Sequence, residues 1–270
     1  MGPAQGRIEE IFVAGSKNAE GGAGLDPMHQ FEVHPIVELP QIGGVDVSFT
    51  NASLWMALAV GSISLLMIAA SRPTNLVPGR LQLLGEMAYS FVANMIKENI
   101  GTEGMKFFPF IFTLFMFILF CNMLGMLPYS YTVTSHLIVT FALAATVFML
   151  VTLVGFFRHG IGFLKLFVPS GIPVVLLPLL VVIEVISYLT RPVSLSVRLF
   201  GNMMAGHTML KIFGGFVVGL GSAGLVPLAI APFALMVAFT GLELLIAGLQ
   251  AYVFTILTCI YLNEAIHMDH

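Results

Sequence analysis

Three stretches of this chain contain no charged residue: Ala52 to Ala70, Phe107 to Leu127 and Leu137 to Phe157. Each matches the roughly 20 apolar residues that cross a hydrocarbon core about 30 Å thick. They read as membrane-spanning helices. Two further apolar runs, Ile172 to Phe213 and Leu225 to Leu262, are too long for a simple crossing, because at about 1.5 Å per residue each reaches some 55 to 65 Å. No basic loop divides either run, although Pro178, Pro192 and Pro232 are candidate kinks. Two long, steeply tilted, antiparallel helices are therefore expected, joined by a glycine-rich loop from Gly214 to Gly224. The fold class is an all-α membrane protein with about five transmembrane helices.

Composition excludes the alternatives to a lipid environment. Hydrophobic residues make up 58% of the chain and charged residues 9%, far below the roughly 25% charged content of soluble domains. Fourteen acids and eleven basic residues cannot cover a soluble surface of this size. The net charge of -3 and the absence of a Lys/Arg block exclude nucleic acid as a partner. Cys121 and Cys259 lie in apolar runs, where a thiol packs as a small hydrophobe. The first fifty residues lack the basic and early apolar regions of a cleaved signal, so no removal is expected.

Residues 1–51 form a polar, acidic tail, and residues 52–270 a single membrane domain. Between Arg80 and Ile100, Gln82, Glu86, Ser90, Asn94 and Glu98 recur every four positions among Leu83, Leu84, Met87, Phe91, Val92 and Met95. This is the pattern of an interfacial amphipathic helix. The second and third spans form a hairpin across Pro128 to His136. Arg72, Arg80, Lys97, Lys106, Arg158 and Lys165 fall in the connections on one side of that hairpin, which makes that side cytoplasmic or matrix-like. The N-terminus then faces out and the C-terminus in.

Ionisable groups in a span cost about 2.5 to 3.5 kcal/mol each at mid-bilayer, so those retained are functional candidates. Glu184, Arg191, Arg198, His207 and Lys211 lie on the first long helix and Glu243 on the second. Arg198 is the most informative, because a guanidinium keeps its proton and acts as a fixed charge. It cannot relay protons, but it can attract a neighbouring carboxylate until that group releases its proton, and it can repel a hopping proton. Ser194 and Asn202 share its face, Glu184 lies about 40° away, and His207 points to the opposite side. On the second helix Glu243 and Gln250 share a face. A His207–Glu243 pair is a plausible proton relay, although spacing across the loop leaves their contact undecided. Arg191 and Lys211 read as interface anchors or lipid contacts. The His267-Met-Asp-His270 tail reads as solvated rather than metal-binding, and His159 as a loop residue.

The run Arg191-Pro-Val-Ser-Leu-Ser-Val-Arg198-Leu-Phe-Gly-Asn202-Met-Met-Ala-Gly-His207, with Leu249-Gln250-Ala251-Tyr252-Val253-Phe254 and Asn122-Met-Leu-Gly-Met-Leu-Pro128, resembles subunit a of F-type ATP synthases. The likeness extends from about residue 30 to 270. It implies that Arg198 is the essential stator arginine facing the ring of c subunits, with Gln250 beside it. His207 and Glu243 would line the outer half-channel, with Glu184, Asn202, Asn122 and Ser194 as further polar groups of the proton path. Some relatives carry an acid where His207 stands and a histidine where Glu243 stands. Where some carry an aspartate in the second span this chain has Gly125, and His136 is the candidate for that uptake role.

The same resemblance implies as partners the c ring, the b-type peripheral-stalk subunits, the F1 sector indirectly, and lipid. No cofactor or metal is expected. The chain has no G-x-x-x-x-G-K-[ST] loop, so nucleotide chemistry falls to partner chains. The function expected is a proton-conducting stator with two offset half-channels. Protons rather than sodium are favoured by the His–Glu pair, and a bacterial inner membrane over a mitochondrial one by the long tail. The rival is a secondary transporter with a mid-membrane substrate site, which would usually show two broken helices and paired repeats, and no such internal repeat is seen in this sequence.

Overall fold

A computed structural model describes residues 31–37, 48–71, 79–127, 130–168, 176–222, 224 and 226–267. Most of the acidic tail, Arg72 and the last three residues of the His267–His270 cluster lie outside the described residues. A short antiparallel pair, β1 (Pro35–Val37) and β2 (Phe49–Thr50), leads into α1 (Asn51–Ala70). Thr50 caps α1, its hydroxyl accepting from the Ser53 N–H at 3.4 Å. That satisfies one of the donors every helix start leaves open. Five helical segments among the described residues are long and apolar enough to span a membrane.

The amphipathic stretch forms α2 (Arg80–Asn99). It buries Val92, Ala93, Met95 and Ile96 while Leu83, Leu84, Met87 and Phe91 stay exposed. Gly101 ends it at φ +84, a conformation only glycine adopts without strain. A 3₁₀ turn, Thr102–Phe107, feeds α3 (Phe108–Gly125), where Pro109 sits in the first turn and costs no hydrogen bond. After the turn at Val133–Ser135 comes α4 (Leu137–His159), followed by a 3₁₀ segment, Gly160–Phe167. The exposed Arg158 and Glu103 pair at 2.5 Å across these two connections.

The two long runs are continuous helices, α5 (Leu177–Ser222) and α6 (Val226–Ile266). Pro192 and Pro232 lie inside them without dividing them. At 46 residues, α5 is about 69 Å long, so it can lie across about 30 Å of hydrocarbon only at a steep inclination. The expected loop from Gly214 to Gly224 is not a loop. Helix α5 continues to Ser222, and the reversal centres on Gly224, at φ +76 with its N–H donating to the Gly221 carbonyl at 3.1 Å. Each glycine weakens a helix by about 1 kcal/mol, whereas backbone groups left unsatisfied in lipid cost several kcal/mol each. The larger penalty wins, and the helix persists.

Among the described residues the chain divides into two compact units: Met204–Glu243 together with residues 31–32, and Val33–Met203 together with residues 244–267. In the first, Phe213 of α5 stacks on Phe239 of α6 with ring centroids 5.3 Å apart. In the second, fully buried Ile96, Ile111, Ile118, Leu199, Phe254 and Leu262 belong to one apolar core drawn from α2, α3, α5 and α6.

Candidate functional site

Within the first unit, His207 of α5 and Glu243 of α6 meet, with Nδ1 to Oε1 2.5 Å. The spacing left undecided by the sequence closes because the reversal lies at Gly224 rather than near Gly219. His207 then precedes it by about as many residues as Glu243 follows it. Glu243 is 4% exposed and His207 13%. The contact lacks the alignment of a hydrogen bond, and both Glu243 oxygens are without a hydrogen-bond donor among the described residues. So dry a setting makes an unpaired charge at either residue costly, which keeps the imidazole and the carboxylate side by side.

Gly206 is what lets the carboxylate lie there. A Cβ at that position would stand 2.7 Å from Glu243 Oε1 and 2.9 Å from its Cδ. The absence of a side chain at Gly206 gives Glu243 its seat against the α5 backbone.

In the second unit, Asn202 donates to Gln250 Oε1 at 2.9 Å, bridging α5 to α6. Gln250 is 2% exposed, and its Nε2 has no acceptor among the described residues. Arg198 and Ser194 are exposed on α5. Arg198 makes no hydrogen bond or ion pair with any described residue, although Tyr261 lies within its electrostatic reach. A fixed cation in an apolar helix is tolerable only where an anion, water or a polar partner meets it. Arg198 has no such partner among the described residues. Glu184, also on α5, is half-buried and unengaged among the described residues.

Asn122 has a different setting. Fully buried, it donates to the Ala247 carbonyl at 3.2 Å and accepts from the Thr134 hydroxyl at 2.8 Å. It fastens the hairpin loop to α6. Two residues after Thr134, His136 pairs its Nε2 with the Tyr131 hydroxyl and stacks on that ring, centroids 5.2 Å apart. Burial pushes the Tyr131 phenol up to about 12, so near neutrality it remains a hydroxyl.

Arg191, expected as an interface anchor or lipid contact, has partners within the chain. Its guanidinium pairs with Glu264 near the end of α6 and lies over two rings, 5.3 Å from the Tyr188 centroid and 5.0 Å from that of Tyr261. An apolar stretch lacks anions, so a neighbouring helix supplied one. Glu264, Tyr188, Tyr261 and Gly206 escaped the sequence reading. The available signal was spacing: Glu184, Arg191 and Arg198 are seven apart in turn, close to one face.

The arrangement is that of a multi-pass helical membrane protein carrying an acid–base pair and an open fixed cation on its two longest helices. The model of the family described as ATP synthase A chain matches residues 53–263. ATP synthase subunit a of Parvibaculum lavamentivorans is 57% identical over 96% of this chain and all of its own length. Those of Pelagibacter ubique and Rhizobium rhizogenes are 58% and 59% identical, over 91% and 89% of this chain and 99% and 97% of theirs. The chain belongs to the ATP synthase A chain family, and is a membrane subunit of that complex.

Proposed function

We propose that this chain is the proton-conducting stator of the F0 sector, loading and unloading carboxylates on a neighbouring ring of c subunits. The observation that carries the reading is Arg198: exposed, mid-helix, and without hydrogen bond or ion pair among the described residues. Protons arrive from the outer side at the His207–Glu243 pair, with His136 at the approach and Asn202 and Gln250 as further polar stations. A ring carboxylate takes one up, becomes neutral and moves into lipid, where its charged form would be strongly disfavoured. On its return the field of Arg198 favours release toward the inner side, past Ser194 and Glu184. The charged carboxylate cannot go back through hydrocarbon, so movement is directional. A potential supplies about 2.3 kcal/mol per charge per 100 mV, so several protons must be gathered for each ATP.

The remaining partners in this reading are the b-type stalk subunits and, through them and the ring, the F1 sector. The N-terminus faces out and the C-terminus the cytoplasm of a bacterial cell. Asn122 serves chiefly to hold the wall of the path, given its two buried hydrogen bonds. The experiment is Arg198→Ala in the assembled complex: coupled ATP synthesis is lost while the complex still assembles. Unchanged coupling overturns the proposal.

A further inference from the structure

Arg191 and Arg198 lie seven positions apart on α5, about 10 Å along the axis and within about 20° of one face. Tyr261 is within electrostatic reach of both. Of the two, only Arg191 has a counter-charge among the described residues, Glu264. Its side chain is 19% exposed and that of Glu264 40%. The other groups packed around Arg191 bring no charge: Tyr188 and Tyr261 are neutral phenols, and α4 contributes Ala144, Val147, Phe148 and Val151 to the cleft beside it. Glu264 is therefore the carboxylate that is ion-paired with this guanidinium among the described residues, Glu184 seven positions earlier on α5 making no such contact.

We propose that Glu264 is a positioning residue that silences the charge of Arg191, so that a passing carboxylate meets one uncompensated guanidinium on this face of α5 rather than two. The inference rests on the reading of Arg198 as the station for moving carboxylates. A second open cation about 10 Å away would lengthen the zone over which such a carboxylate is held ionised. The penalty falls on proton capture from the inner side, the step that loads the ring when ATP hydrolysis drives pumping. Loading then fails as inner pH rises, and a second cation moves that failure to lower pH.

The test uses the whole complex in inverted membrane vesicles, with ATP-driven pumping measured against the pH of the medium. Glu264→Gln is expected to lower pumping several-fold and move the alkaline limb to lower pH by about half a unit. Arg191→Gln/Glu264→Gln is expected to restore both to near the parent values, and Glu264→Asp to keep them. A double variant with the same defect and the same limb as Glu264→Gln overturns the inference, because a mere stitch or a proton carrier at Glu264 would not be rescued by deleting Arg191. Should Glu264→Gln not assemble, the double variant decides: a parental limb supports charge silencing, and a displaced limb contradicts it. The underlying reading fails separately, through retained coupling in Arg198→Ala.

Discussion

The surroundings of Arg191 and of Arg198 differ as much as two positions on one helix can. Around Arg191 the chain has assembled a carboxylate and two aromatic faces. Around Arg198 it has assembled no hydrogen-bonding or ion-pairing group among the described residues. A guanidinium in an apolar helix is costly unless something meets it, so the difference separates a charge the chain closes on itself from one that, on the proposed reading, it offers outward. The same distinction sorts the other polar groups. Asn122 and Asn202 bond within the chain, and His207 and Glu243 face each other, whereas Glu184 stays unengaged among the described residues.

The largest expected contrast lies in exchanging each arginine for lysine. At an open station a fixed charge is replaced by one that can lose its proton, and removing such electrostatic stabilisation costs on the order of a hundredfold. Arg198→Lys should therefore reduce ATP synthesis by about that factor. Arg191→Lys keeps a cation beside Glu264 and should cost less than about threefold. Equal losses in ATP synthesis assays of membrane vesicles would erase the comparison.

A somewhat smaller effect is expected at the acid–base pair. His207→Glu and Glu243→His each place two like groups in contact and should slow proton uptake by about tenfold, while the double exchange recovers most of it. Additive losses would mean that the two residues act apart. Gly206→Ala comes next. Its methyl would occupy the seat of the Glu243 carboxylate, so outer-side proton uptake should fall severalfold with Arg198 function intact, as measured by passive conduction through the complex. No change would show that Glu243 works from another position.

The smallest effect is expected where the chain closes a neutral pair. Asn202→Ala leaves Gln250 buried without its donor, and should destabilise by about 1–3 kcal/mol, seen as a lower unfolding temperature of the purified complex. A stability unchanged from the parent would mean that the 2.9 Å bond contributes little.

The spans, the interfacial helix and the two long helices were legible in the sequence because charge-free length and four-residue spacing are local properties. The helix reversal was not. Glycines between Gly214 and Gly224 suggest a loop by their water-based propensities, and in lipid the backbone's need for hydrogen bonds outweighs them. That displacement of the turn also hid the His207–Glu243 contact. Arg198, Asn202 and Gln250 could be singled out from polarity in an apolar run. Arg191 could be noticed but not interpreted, because its partner Glu264 stands 73 residues on in a terminal segment where an acid is unremarkable. Gly206 was illegible for another reason: close approach of a carboxylate to a backbone leaves no mark on composition or periodicity.

The most direct measurement is the distance from the Arg198 guanidinium to the nearest intramembrane carboxylate of another chain, in an experimental map of the complete complex. The account predicts direct or single-water contact, within about 3 to 6 Å. An Arg198 turned into lipid or bulk water, with every such carboxylate more than about two helix diameters, or 20 Å, away, would contradict it.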